Sequence, residues 1–245
     1  MSDPGSGDPR RTALVTGGGR GIGRATALRL AAMGFDLALG ALEQDEVEEV
    51  ASEARDVGAT AFAAAVDVAD SDALDRFATD AERAVGPIDV LINDAGTIHL
   101  PDDLAGATRA GWDRTLDVNA RGPFLACLRL VPGMRQRGFG RVVNVASTAG
   151  LRGLPGRLSY VASKHALVGL TRALAAEIAD PGVTINAVCP GAVRTRLTEG
   201  SRPDADRSGW LAPDDVAAQI AWLCGPDAAR VHGAVIELAD RTPGG

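Results

Sequence analysis

Thr16-Gly17-Gly18-Gly19-Arg20-Gly21-Ile22-Gly23 stands between a short apolar run, residues 13–16, and an amphipathic stretch, residues 22–33. A strand that runs straight through glycines into a helix brings backbone close to whatever lies at the helix N-terminus, where N–H groups have no intrahelical partner. A pyrophosphate fits there: its charge meets the unpaired donors, and Gly17, Gly21 and Gly23 let the chain turn tightly around it. A plain strand-to-helix turn can also use glycines. The flanking strand and helix favour the dinucleotide reading.

The same alternation continues outward along the chain. Short apolar runs at 13–16, 37–40, 61–66, 90–93, 141–146, 184–188 and 234–238 predict seven strands, most ending at Gly, Asn, Asp or Pro. Helical patterns at 22–33, 45–57, 72–85 and 159–178 lie between them, with Gly34, Gly58 and Gly86 where C-caps belong. Alternating strands and helices without a dividing linker predict a single-domain α/β Rossmann fold: a doubly wound, seven-stranded parallel sheet with helices on both faces. Residues 1–10 read as a flexible N-terminal segment and 11–245 as a dinucleotide-binding catalytic domain. Residues 194–212 break both periodicities and read as a short substrate lid.

Composition narrows the function classes. Across 245 residues the apolar fraction of 46% is ample for a continuous core, and the formal charge of −7 comes with no basic block that could neutralise a run of phosphates. Nucleic acid is therefore not an expected partner. Cys127, Cys189 and Cys224, and the three histidines, are scattered without zinc-site spacing or a disulfide framework, so no metal is expected. No stretch reads as a signal peptide or a membrane span, and a cytoplasmic protein is expected.

Two further places carry chemistry. Asp67-Val68 closes the third strand, where the carboxylate either accepts from an adenine amino group or caps the turn before the next helix. Tyr160 and Lys164 lie four residues apart in a helical pattern, hence on one face. A phenol of pKa about 10 is a poor acid-base group near neutrality, but an adjacent ammonium and an oxidised nicotinamide would favour the phenolate and lower that value. An arbitrary Tyr/Lys pair at this spacing is an ordinary helix face. Here Tyr160 is the only tyrosine in the chain.

With these residues in view, the sequence resembles the short-chain dehydrogenase/reductases from Arg11 to about Ala239, closest in motif to 3-oxoacyl-thioester reductases. The resemblance rests on Thr16–Gly23, Asn93-Asp94-Ala95-Gly96, Asn119, Ser147, Tyr160-x-x-x-Lys164 and Pro190-Gly191 in order. It implies hydride transfer between a nicotinamide and a ketone or secondary alcohol, with Tyr160 as acid or base, Ser147 orienting the reacting oxygen, and Lys164 holding the nicotinamide ribose. Asn119 would anchor a water leading from Lys164 to solvent. It also assigns cofactor contacts to Gly17, Gly19, Arg20, Gly21, Ile22, Gly23, Ala41, Leu42, Asp67, Val68, Asn93, Ala95, Gly96, Pro190, Gly191, Val193 and Thr195, and to Tyr160 and Lys164 themselves.

Departures from the family pattern refine these expectations. Asp94 replaces the usual second Asn, at the cost of a sheet-stabilising hydrogen bond but with no effect on the chemistry. Ala41 stands where NAD-preferring relatives carry an Asp, and Arg20 could meet a 2′-phosphate, although Glu43 opposes it. NADP(H) is favoured and NAD(H) stays open. The C-terminal Leu238-Ala239-Asp240-Arg241 replaces Asp-Gly-Gly, which puts the usual tail contacts between subunits in question. Helices at 119–136 and 159–178 resemble dimer-forming helices, so a homotetramer is expected, with a homodimer next. The partner is a small-molecule carbonyl or alcohol. A non-catalytic nucleotide sensor would not need all four catalytic residue types, and a methyltransferase would leave Ser147, Tyr160 and Lys164 unexplained.

Overall fold

The computed structural model describes residues 10–240. Most of the segment read as flexible, residues 1–9, and Arg241 of the altered tail lie outside the described residues. Seven parallel strands form one sheet in the order β3-β2-β1-β4-β5-β6-β7. They are β1 (Thr12–Thr16), β2 (Asp36–Ala41), β3 (Ala61–Ala65), β4 (Ile88–Asn93), β5 (Gly140–Val145), β6 (Val183–Pro190) and β7 (Val235–Leu238). All seven coincide with the expected runs to within two residues at either end.

Because side chains alternate along a strand, each strand feeds two cores. Ala13, Val15, Leu37, Leu39, Val143 and Val145 face a layer built by α1 (Gly21–Ala32), α2 (Gln44–Asp56) and the later α8 (Pro213–Cys224). Leu14, Ala38, Leu91 and Val142 face the opposite layer, where Leu74 and Phe77 of α3 (Ser71–Val85) meet Leu130 and Met134 of α5 (Gly122–Arg137). Burial on both faces is why the strands read as continuous apolar runs. Gly34, Gly58 and Gly86 follow helices with φ of 91°, 87° and 88°, the left-handed geometry expected of their positions.

The expected helix at 119–136 differs. It begins earlier, as α4 (Arg109–Leu116), and passes through a π-helical turn, Asp117–Arg121, before α5. The widened turn places Asn119 inward with no exposed surface. Within 194–212 lies the short α7 (Arg196–Ser201), and Val193 bridges Leu211 across that segment's ends. The remaining helix, α6 (Leu158–Glu177), carries Tyr160 and Lys164.

The sheet's winding reverses between β1 and β4. In such sheets the crevice beyond the carboxyl ends of the strands at that point is the ligand site, and the glycine loop opens into it.

Candidate active site

A cleft of about 860 Å³ lies at this reversal, lined by Gly17, Arg20, Gly21 and Ile22 of the glycine loop. Ala41 and Leu42 after β2, Asp67 and Val68 beyond β3, Ala95 and Gly96 after β4, and Thr195 before α7 complete the wall from the sequence-predicted set. Residues from five separate segments thus converge. Gly17 and Gly21 have φ of 73° and 55°, which a side chain would strain. A Cβ on Gly23 would overlap the Gly17 carbonyl oxygen, so this glycine allows loop and helix to close on each other. Gly19 is not in the cleft wall; a Cβ there would press 2.9 Å from Cβ of Glu46 on α2.

Other predicted contacts lie deeper. The Asn93 amide donates to Asn144 Oδ1 at 2.8 Å, and the Asn144 amide to Thr171 Oγ1 at 2.9 Å, tying β4, β5 and α6 together. The Asn93 side chain supports the sheet and is not in the cleft wall. Val193 is buried, and Gly191 belongs to a second, smaller cavity with Ser147 and Tyr160. Pro190 ends β6 beside it.

Asp67 Oδ1 accepts the Ala69 N–H, which is the turn cap, while Oδ2 accepts from Arg114 at 2.8 Å. Burial raises its pKa, but the Arg114 hydrogen bond, the Ala69 N–H and the Arg114 charge outweigh that and hold the carboxyl below its usual value. Arg20 pairs with Glu46 at 3.1 Å, and Glu46 also accepts from Arg196 of α7 at 3.1 Å. Glu46 thus offsets Arg20 directly, and Glu43, expected to oppose a 2′-phosphate, also lines the cleft. A partner 26 residues away leaves no local signal.

At the inner end, Lys164 is buried and donates to the Val145 carbonyl at 2.9 Å, with Nζ 5.8 Å from the Tyr160 ring centre. Asn119 accepts from Thr97 N–H at 2.8 Å and donates to Thr97 O at 2.9 Å and Ser163 Oγ at 3.0 Å. These bonds lock it beside Gly96, where both Asn119 Oδ1 and Lys164 Nζ approach. Ser147 Oγ accepts the Ala149 N–H at 3.1 Å and is hydrogen-bonded to Tyr160.

The electrostatics correct two expectations. Burial pushes the Tyr160 phenol above its ordinary pKa; the Ser147 hydrogen bond and the charges of Arg202 and Arg157 oppose this, and Asp94 adds to it. Lys164 does not reverse the burial effect, so the phenol of the protein alone stays protonated. Asp94, whose carboxylate accepts the Gly23 N–H, is also tied to the chemistry after all. Burial raises it to about 7, against the pull of Lys164 and Gly23, and burial lowers Lys164 to about 8, against the attraction of Asp94. Asp94 thus helps keep a buried ammonium charged.

Because Tyr160 is the single tyrosine, its ionisation can be read from phenolate absorbance. That absorbance is expected only at a pH above the midpoint of free tyrosine, about 10. A midpoint below it in the protein without cofactor would contradict burial as the dominant influence.

Asp102 is a positioning residue that sequence reading missed. Its buried carboxylate accepts Ser159 N–H at 2.9 Å, Ser159 Oγ at 2.8 Å and Tyr160 N–H at 3.1 Å. It caps α6 from outside the helix and fixes the turn that presents the phenol. The partners lie 57 and 58 residues away in sequence, so a lone loop Asp gave no sign of it.

The glycine cradle, which side chains would fill, and the volume of the cleft fit a dinucleotide. Comparison with known proteins agrees. The short chain dehydrogenase family model matches residues 11–206. Levodione reductase of Leifsonia aquatica is 33% identical over 93% of this chain and 92% of its own length. The 3-oxoacyl-[acyl-carrier-protein] reductase FabG of Staphylococcus epidermidis is 33% identical over 93% of this chain and 97% of its own. Among solved structures, a variant of actinorhodin polyketide ketoreductase with NADPH superposes with a TM-score of 0.89 at 31% identity, covering 94% of this chain and 96% of that one. The chain belongs to the short-chain dehydrogenase family, and is an oxidoreductase acting on carbonyl and alcohol groups.

Proposed function

We propose that the protein reduces a ketone with NADPH as the preferred reductant, through Tyr160, Ser147, Lys164 and Asn119. The observation that carries this reading is that Ser147 and Tyr160 share the second cavity while Lys164, with Nζ 5.8 Å from the Tyr160 ring centre, approaches Gly96 in the wall of the dinucleotide cleft. A 3-oxoacyl thioester is the substrate class that the motif resemblance favours.

The residues divide the work as follows. Gly17, Gly21 and Ile22 would hold the pyrophosphate at the N-terminus of α1. Asp67 and Val68 would flank the adenine, and Gly96, Thr195 and Lys164 the nicotinamide half. When bound, the nicotinamide supplies the hydride. Tyr160, kept protonated by burial, donates its proton to the substrate oxygen. Ser147, with Oγ held by the Ala149 N–H, keeps its own O–H to aim at the same oxygen. Lys164 stabilises the phenolate that remains, and Asn119 holds the segment through which that phenolate regains a proton.

Ala41 leaves the end of β2 without a carboxylate for ribose hydroxyls, and Arg20 and Arg196 stand beside Glu46 at the cleft mouth. The missing carboxylate at Ala41 and the planar, phosphate-matching guanidinium groups of Arg20 and Arg196 support NADPH over NADH, with Glu43 and Glu46 opposing. Titration with each cofactor, followed by fluorescence and by melting temperature, tests this: a ligand that binds only the folded state raises the melting temperature. NADPH is expected to bind at least about tenfold more tightly, since a charged pair contributes about one factor of ten or more. Tighter binding of NADH reverses the preference, and binding of neither removes the reading.

The same reading carries a cytoplasmic location, supported by the three free and buried cysteines. Among the described residues no helix is long and apolar enough to cross a membrane. A homotetramer is supported by Phe124 and Leu128, exposed on α5, and by the small residues Ala166, Gly169 and Ala173 on the open face of α6. Light scattering should give four times the chain mass of 25.1 kDa; a monomer would contradict it. Residues 194–212 act in this reading as a substrate lid, with α7 as its moving part.

A further inference from the structure

The second cavity, about 200 Å³, opens onto Tyr160 and Ser147 and is lined by three guanidinium groups, Arg152, Arg157 and Arg202. It is small enough that whatever enters with its ketone at Tyr160 lies close to these cations. Arg152 is balanced by Glu237 at 3.5 Å. Arg157 is held by uncharged acceptors, the carbonyls of Gly156 at 2.9 Å and Ser201 at 2.6 Å, which orient it without cancelling its charge. Arg202 makes no ion pair among the described residues. The one carboxylate in the lining, Asp240, accepts the Ala192 N–H at 3.1 Å and offsets one of these two remaining cations.

An ordinary ketone pocket is apolar with a few polar groups. Two cations against a single carboxylate, facing the proton donor from the end of α7 and the start of α6, leave a positive charge in excess and are a different arrangement. We propose that the substrate carries a carboxylate within a few bonds of its ketone, and that Arg157 and Arg202 bind this carboxylate and so select oxo acids over neutral ketones. The proposal rests on the reading of Tyr160 and Ser147 as the ketone-reducing site. Both arginines also act electrostatically on the Tyr160 phenol, which puts their charge close to the proton donor. A guanidinium also suits a carboxylate geometrically, since its planar fork can match both oxygens. Because the carboxylate must sit inside the small cavity, it is part of the substrate itself and not the distant phosphate of a carrier arm. A thioester substrate would need a second, free carboxylate.

The test compares unbranched oxo acids, from 2-oxobutanoate to 6-oxoheptanoate, with their methyl esters at saturating NADPH. For at least one chain length kcat/KM should favour the acid by about 10–100-fold, the range for a hydrogen-bonded charged pair. In R157Q and R202Q the acid-to-ester ratio should fall towards one. The wild-type protein gives a reading that needs no folded variant: KM for the acid should rise with sodium chloride while that for the ester stays level, because Arg202 is exposed and its attraction is screened. Esters reduced as well as acids at every length would overturn the proposal and leave ketone reduction standing. No reduction of any acid, ester or 3-oxoacyl thioester by a protein that binds NADPH would overturn both. An acid preference unchanged in both variants would take the role from these arginines. A preference for 3-oxobutanoyl-CoA over its phosphate-free N-acetylcysteamine thioester, lost in R202Q, would assign them to a carrier phosphate and overturn the proposal.

Discussion

Tyr160→Phe should lower kcat by about 10²–10⁴-fold, the range for removal of a general acid, while changing NADPH affinity less than about threefold. The substitution removes one oxygen and keeps the ring beside Lys164. What it deletes is the only proton donor in the site matched to a developing alkoxide. Ser147 cannot substitute: its hydroxyl orients, and an alkoxide of serine has no neighbour to stabilise it as Lys164 would a phenolate. The loss should therefore fall on kcat and leave cofactor binding intact. Turnover within a few-fold of the original, measured by NADPH absorbance at saturating substrate, would sink the assignment of Tyr160.

Lys164→Ala should damage both steps. The ammonium stands 5.8 Å from the Tyr160 ring centre, donates to Val145 O and lies close to Gly96, a residue of the cleft wall. Removing it takes away the charge that stabilises the phenolate, and kcat should fall by about 10²-fold or more. NADPH affinity should weaken by about tenfold as a charged hydrogen bond is lost. Asp94, already raised to about 7 by burial, loses the cation that holds it down and should titrate higher still. A rise in the apparent pKa of Asp94, seen by carboxyl-selective spectroscopy, would accompany the kinetic loss. Unchanged cofactor affinity would remove the second role of the lysine.

The two substitutions separate what the sequence made legible from what it did not. The strands could be read because burial on both sheet faces demands continuous apolar runs, and helix ends because Gly34, Gly58 and Gly86 adopt a backbone other residues avoid. Tyr160 and Lys164 could be read because helical spacing alone puts them on one face. The glycine loop could be read because the close approach of Gly23 to Gly17 leaves no room for a side chain.

The unread parts depend on long-range proximity. Asp102 caps α6 from the loop after β4, and Glu46 binds Arg20 and Arg196 from α2 and so ties the glycine loop to α7. Neither follows from spacing or composition, since an isolated acidic residue is usually a solvated one. The π-helical turn at Asn119 shifts a face by one residue, which periodicity cannot resolve. The raised phenol of Tyr160 is likewise a property of its enclosure, whereas the sequence offered only its charged neighbour.

The central claim is that this site delivers hydride to a ketone carbon while Tyr160 protonates its oxygen. The most direct measurement is isotope transfer: NADPH deuterated at C4 of the nicotinamide, on each face in turn, is incubated with the protein and the best ketone, and the alcohol is examined by mass spectrometry. One face should place a single deuterium on the carbinol carbon and the other none, with the Tyr160→Phe protein yielding neither product at a comparable rate. An alcohol without deuterium from either face, or full transfer by Tyr160→Phe, would contradict the account.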